Sequence, residues 1–222
     1  MPDGQTLAVA NGGIVTDPSD RTELNLNTMR PRLSYIDLAG DLLEQVELPI
    51  ELHRNSIRHL AVRPDGLLAF AMQWEGTDVA RPPLLGLHRR GEAPLLAQAP
   101  LAAEIAMQGY AGSVAFSGDG TEVAITSPRG GRLHRIYARG HFRRDVAHRC
   151  SAVSRPTTRA SWPAMAGWDH HHRPSHAKTL VRHNRNWDNH IVVLDCAPGQ
   201  LGPFVGARKC PFSILATGQE CS

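Results

Sequence analysis

The chain has 222 residues, 20% of them charged and 41% apolar, which is an ordinary globular composition with room for one large domain or two small ones. No apolar run reaches the ~18 residues that a membrane helix needs, which excludes a hydrophobic helical span. The net charge of +3 is small, and the opening MPDGQTLAVANGG lacks the basic-then-apolar order of an export signal.

The predicted elements begin at once. In MPDGQTLAVANG an Asp-Gly turn leads into a short apolar strand, TLAVA. Asp-Gly suits a tight turn because glycine accepts positive φ and aspartate can bond its own turn backbone. RLSYIDLAGDLLEQVELP then reads as strand, glycine-containing turn, strand. The pattern recurs: SIRHLAV enters a second Asp-Gly turn and LLAFAM leaves it, followed by PLLGLHRRGEAPLLAQAP with its own Arg90-Gly91 turn. A helical turn is expected around residues 101–107. YAGSVAF, the turn SGDG and the strand EVAIT open a third unit. These runs are four to six residues long, which suits strands rather than helices.

The repeating unit is therefore two hairpins, with Asp-Gly separations of 62 (65 − 3) and 54 (119 − 65) residues. Four-stranded units at roughly 40–50 residues, lengthened by loops, are the blades of a β-propeller. A β-sandwich also uses short strands and polar turns, but the strict order of strand, Asp-Gly, strand, strand, Gly, strand favours the propeller. The expected fold is all-β, a partial propeller with about two and a half to three blades over residues 1–132 and an irregular C-terminal part. A ring of seven blades would need roughly 300 residues.

The phrases LAVANGGIVTDP, LNLNTMRPRLSYIDLAGDLLEQVELP, SIRHLAV, PLLGLHRRGE, GYAGSVAFSGDG and ITSPRGG resemble, in register over residues 1–132, bacterial proteins grouped as domain of unknown function 1513. The resemblance implies a WD40- or YVTN-like propeller, export by a twin-arginine or Sec signal, and genes beside imelysin-type iron-uptake proteins. It implies a fold and a setting rather than a reaction. Relatives begin further upstream, so Met1 reads as an internal start, and the intact parent is expected in the periplasm.

Family-like phrasing stops near residue 133, where the composition also changes. Residues 1–132 hold 16 acidic and 11 basic side chains, a net of −5, and residues 133–222 hold 5 and 13, a net of +8. Arginine, histidine, serine and proline crowd the second part without alternation. Residues 133–177 are read as a frame-shifted segment, with a divergent insertion as the alternative. The phrase WDNHIVVLD marks a possible return to propeller strand over 178–195, and 196–222 reads as an irregular tail. The scattered arginines argue against a nucleic-acid partner. Cys150, Cys196, Cys210 and Cys221 fit no CxxC spacing and fix no disulfide scheme.

The stretch WDHHHRPSH, residues 168–176, could offer His170, His172, His176 and Asp169 to a metal if extended. It has no framework to orient the rings, so it reads as an exposed His-rich tract rather than an evolved metal site. No cofactor is assigned. Nucleophile elbow, HExxH, P-loop and GxGxxG motifs are all absent from the sequence.

Function in a propeller sits on loops at one end of the strands. The candidate ligand-binding residues are Asn11, Asn25 and Asn27 in the first blade, His59 and Gln73 in the second, and Ser113, Ser127 and Arg129 in the third. Arg129, beside glycines in SPRGG, can present its fork to a carboxylate or phosphate. Two readings follow. One is a non-catalytic periplasmic module that binds a ligand or partner, with a co-encoded iron-uptake protein as the partner. The alternative is a lactonase-like hydrolase whose channel holds a divalent cation through oxygens such as those of the first-blade asparagines.

Overall fold

The computed structural model describes residues 1–76 and 81–147 and, beyond them, the backbone of five strands. Three antiparallel sheets succeed one another along the chain. The first contains β1 (Thr6–Asn11), β2 (Arg32–Asp37) and β3 (Leu42–Glu47). The second contains β4 (Asn55–Val62), β5 (Leu68–Trp74), β6 (Leu85–His88) and β7 (Leu95–Ala97). A short helix, α1 (Leu101–Ala106), leads to the third, made of β8 (Ser113–Phe116), β9 (Glu122–Ser127), β10 (Arg132–Tyr137) and β11 (Phe142–Ala147). Each sheet is a meander with strands in chain order, and β1, β5 and β9 are the strands that follow the Asp-Gly turns.

The turns explain the register. Gly4, Gly66 and Gly120 adopt φ of +67°, +85° and +68°, a conformation that costs glycine nothing. The preceding aspartate accepts the backbone N–H two residues on, at 2.9 Å for Asp3 with Gln5, 3.3 Å for Asp65 with Leu67 and 3.0 Å for Asp119 with Thr121. These bonds hold the Asp3 carboxyl below its ordinary range. Arg63 ties sheets two and three together at this end: it pairs with Asp65 at 2.7 Å and donates to the Gly120 carbonyl at 2.6 Å.

Alternation along β5 divides the core. Leu68, Phe70 and Met72 face sheet one and, with Ile57 of β4, cluster with Leu33 and Tyr35 of β2. Ala69 and Ala71 face sheet three and pack with Leu85, Val114, Phe116 and Ile125. Sheet two is therefore buried on both sides, as a blade between neighbours must be. Strand β1 lies against β4, and β4 and β5 lie against β8, so the early strands of successive sheets adjoin.

The third blade corrects the boundary expected at residue 132. Strands β10 and β11 carry residues 133–147 into sheet three, where Leu133 and Ile136 are buried. Sequence pattern misses these strands because their inward and edge positions are charged, and the charges are satisfied across strands. Arg135 pairs with Glu122 at 2.6 Å and Arg132 with Asp145 at 3.2 Å, and Arg143 also reaches Glu122.

Further along, β12 (Ser161–Met165), β13 (Trp168–Arg173) and β14 (His176–Arg182) form a three-stranded antiparallel sheet, and β15 (Ile191–Leu194) pairs with β16 (Ser213–Ala216). The histidine tract falls on β13 and the start of β14. Its side chains, the packing of Trp162 and Trp168, and most of the 196–222 tail lie outside the described residues. Among the described residues no helix is long and apolar enough to cross a membrane.

Candidate ligand-binding face

Strand register brings most of the sequence-predicted residues to one end of the blades, but leaves His59 in the middle of β4. Asn11 stands opposite Arg32 at the end of sheet one, Gln73 opposite Ser56 in sheet two, and Ser127 opposite Arg132 in sheet three. Hydrogen bonds join these ends: Ser56 Oγ donates to the Gly12 carbonyl at 3.0 Å, and the Trp74 N–H donates to the Gly109 carbonyl at 2.8 Å. The Asp-Gly turns lie at the opposite end. A depression of about 550 Å³ there is bordered by Asp3, Asp65, Arg89 and Arg90. Its arginines already have carboxylate partners, Arg89 with Asp65 and Arg90 with Glu44.

The first-blade asparagines build their own loop. Asn11 Oδ1 accepts the Gly13 N–H at 2.8 Å, and Asn25 Oδ1 accepts the Val15 N–H at 2.7 Å while its amide donates to the Gly13 carbonyl at 2.9 Å. Asn27 Oδ1 accepts from Arg54. In the second blade His59 is half-buried on β4 opposite Ala71, and Gln73 forms a backbone bridge with Tyr110. Arg58 on β4, exposed at this end, pairs with Glu75 at 3.3 Å; the sequence pattern marks neither.

The third-blade serines are buried and engaged. Ser113 Oγ and Thr126 Oγ1 share a hydrogen bond of 2.6 Å. Ser127 Oγ donates to the Met107 carbonyl at 2.8 Å and accepts the Gly130 N–H at 2.9 Å, which braces the SPRGG turn against the segment after α1. A Cβ on Gly130 would stand 1.9 Å from the Ala106 carbonyl oxygen, so this turn and α1 touch backbone to backbone. Gly130→Ala is accordingly expected to push the turn off α1 and cost about 1–3 kcal/mol, read as a lower urea midpoint.

Exposed Arg129 leaves this braced turn and lies over the Tyr110 ring, with its guanidinium carbon 4.4 Å from the centroid. Among the described residues no carboxylate pairs with it. In sequence Tyr110 reads only as the start of an incoming strand. Its role depends on a contact 19 residues along the chain (129 − 110), for which the sequence carries no local pattern.

Three- and four-stranded meander sheets packed face to face, with a turn end rich in paired charge and a loop end that gathers polar side chains, define a β-propeller seen over part of its ring. The chain belongs to the family described as Protein of unknown function (DUF1513), which matches residues 1–194. That match carries past residue 132, where family-like phrasing was expected to stop, and takes in the WDNHIVVL phrase. Among solved structures, the chain is similar to the Dos1 propeller at 14% identity and a TM-score of 0.51, covering 82% of this chain and 54% of that one. It is also similar to a protein of unknown function from Bacteroides caccae (10% identity, TM-score 0.48, 88% of this chain and 63% of that one). A third is the catalytically inactive virginiamycin B lyase from Staphylococcus aureus with quinupristin (15% identity, TM-score 0.47, 79% and 60%). The chain thus spans less than two thirds of each of these structures. No curated protein matches the sequence.

Proposed function

We propose that the chain is part of a non-catalytic binding module that engages a ligand or partner across its loop end, in the periplasm and beside an iron-uptake system. The observation that carries the reading is the use made of the polar groups at that end. The hydroxyls of Ser113 and Ser127 are buried in scaffold hydrogen bonds, while a cation, Arg129, is held out on an aromatic platform. Nucleophilic catalysis needs a hydroxyl within reach of a base, and these two hydroxyls are turned to neighbouring strands and to a backbone carbonyl. The periplasmic setting and the iron-uptake partner rest on the family resemblance.

The hydrolase alternative draws no support from the first-blade asparagines, whose side-chain oxygens accept hydrogen bonds from Gly13, Val15 and Arg54. The test uses the full-length protein and the iron-uptake protein encoded beside it. Calorimetry should show saturable association between the two and no tight calcium binding. Calcium binding that is lost on Asn11→Ala, together with lactone turnover, would replace the module reading with the enzyme.

A further inference from the structure

Two independent devices hold the Arg129–Tyr110 pair. The platform comes first. The residues before Tyr110, Gln108 and Gly109, both adopt left-handed backbone, with φ of +52° and +66°. For glutamine this conformation is uncommon and unfavourable, so the surrounding structure must impose it. It is imposed by lacing to β5: Trp74 N–H donates to the Gly109 carbonyl at 2.8 Å, Ala111 N–H donates to the Met72 carbonyl at 3.1 Å, and Gln73 bridges Tyr110. The Tyr110 ring therefore rises from a backbone pinned on both sides.

The second device is the SPRGG turn, fixed by Ser127 Oγ and by the close approach of Gly130 to Ala106. It delivers Arg129 onto the ring. Stacking uses the face of a guanidinium and leaves its in-plane N–H donors open. An arginine held over a ring and leaving a braced turn also loses less side-chain freedom on binding than one on a free stem.

We propose that Arg129 on Tyr110 is a receptor for a carboxylate, bound side-on by two parallel N–H···O bonds. The proposal rests on the binding-module reading and names the chemistry of its ligand. The carboxylate can come from a small organic acid or from an acidic side chain of a protein partner, and one experiment separates the two sources.

The full-length protein is titrated by calorimetry with citrate, with a hexaglutamate peptide and with inorganic phosphate at constant ionic strength. Saturable binding of citrate or of the peptide is expected, at least tenfold weaker in Arg129→Ala. Arg129→Lys, which keeps the charge and loses the fork, should be weakened to a similar degree. Tyr110→Leu, which removes the aromatic face, should weaken binding severalfold while the melting temperature changes little. Citrate binding alone identifies a small acid, and peptide binding alone identifies a protein partner. The proposal is overturned if neither carboxylate binds, if phosphate binds more tightly than both, or if Arg129→Lys binds as wild type. Failure here, with association to the iron-uptake protein intact, removes the carboxylate receptor and leaves the binding module standing.

Discussion

Replacing Phe70 with alanine is expected to lower the unfolding free energy by about 3–5 kcal/mol. Phe70 is fully buried on β5, within the cluster of Leu33, Tyr35, Ile57, Leu68 and Met72 that joins sheets one and two. Its cross-strand partner is Gly86, and a Cβ there would lie 2.0 Å from the ring. The ring thus occupies the space a side chain at position 86 would fill, and truncation opens a void that the bare glycine cannot close. Gly86→Ala alone should also destabilise, since the ring must move off its own strand pair. In the Phe70→Ala background that clash is gone, and Gly86→Ala should cost almost nothing or restore stability. Urea unfolding of the two single variants and the double variant checks this. Additive costs, or a loss below about 1 kcal/mol for Phe70→Ala, would show that the ring does not fill this space.

Stability is expected to depend on pH through two buried groups with opposite signs. Glu104 is 3% exposed; its Oε1 accepts the Ala99 N–H at 2.7 Å and its Oε2 has no hydrogen-bond partner among the described residues. Burial raises its pKa from 4.5 to about 7. Between those values the folded state binds the proton more tightly than the unfolded chain, so stability falls as pH rises through that window. At about 1.4 kcal/mol per pKa unit the full effect is on the order of 3 kcal/mol. Glu104→Gln keeps an acceptor for Ala99 and has no charge to desolvate. It should match wild type near pH 5 and exceed it near pH 8.

His134 acts in the other direction. It is buried on β10 with Nε2 3.8 Å from Asp145 Oδ1 and without a hydrogen bond among the described residues, and burial lowers its pKa from 6.5 although Asp145 opposes the shift. The folded state resists protonating it, so this contribution is present above the unfolded pKa of 6.5 and is lost as pH falls through the lower folded value. Melting temperatures measured from roughly pH 4 to 8 in wild type, Glu104→Gln and His134→Gln should show the first variant removing a fall in stability between pH 4.5 and about 7, and the second removing a rise in stability that is complete above pH 6.5. Parallel curves for all three would contradict the assignment.

Much of the blade plan is legible in the residues. Asp-Gly turns followed by apolar strands announce β1, β5 and β9, and Arg90-Gly91 announces the hairpin between β6 and β7, because turn chemistry is local. Strands β10 and β11 are not legible, since RLHRIY and FRRDVA carry their charges into cross-strand pairs that exist only once Glu122 and Asp145 are in place. The loop end was read partly. Arg129 stood out beside its glycines, whereas Tyr110, Arg58 and Glu75 act through contacts made by packing. Glu104 in LAAEIA looks like any solvated helix carboxylate; its burial comes from tertiary packing of α1, which leaves no local pattern.

The central claim is that recognition takes place at the loop end of the blades. Hydrogen–deuterium exchange of the full-length protein, alone and with the iron-uptake protein encoded beside it, tests this most directly. Binding should slow exchange in residues 107–112 and 127–131, with little change in the Asp-Gly turns around residues 3, 65 and 119. Protection at those turns, with the loop end unchanged, would contradict the claim.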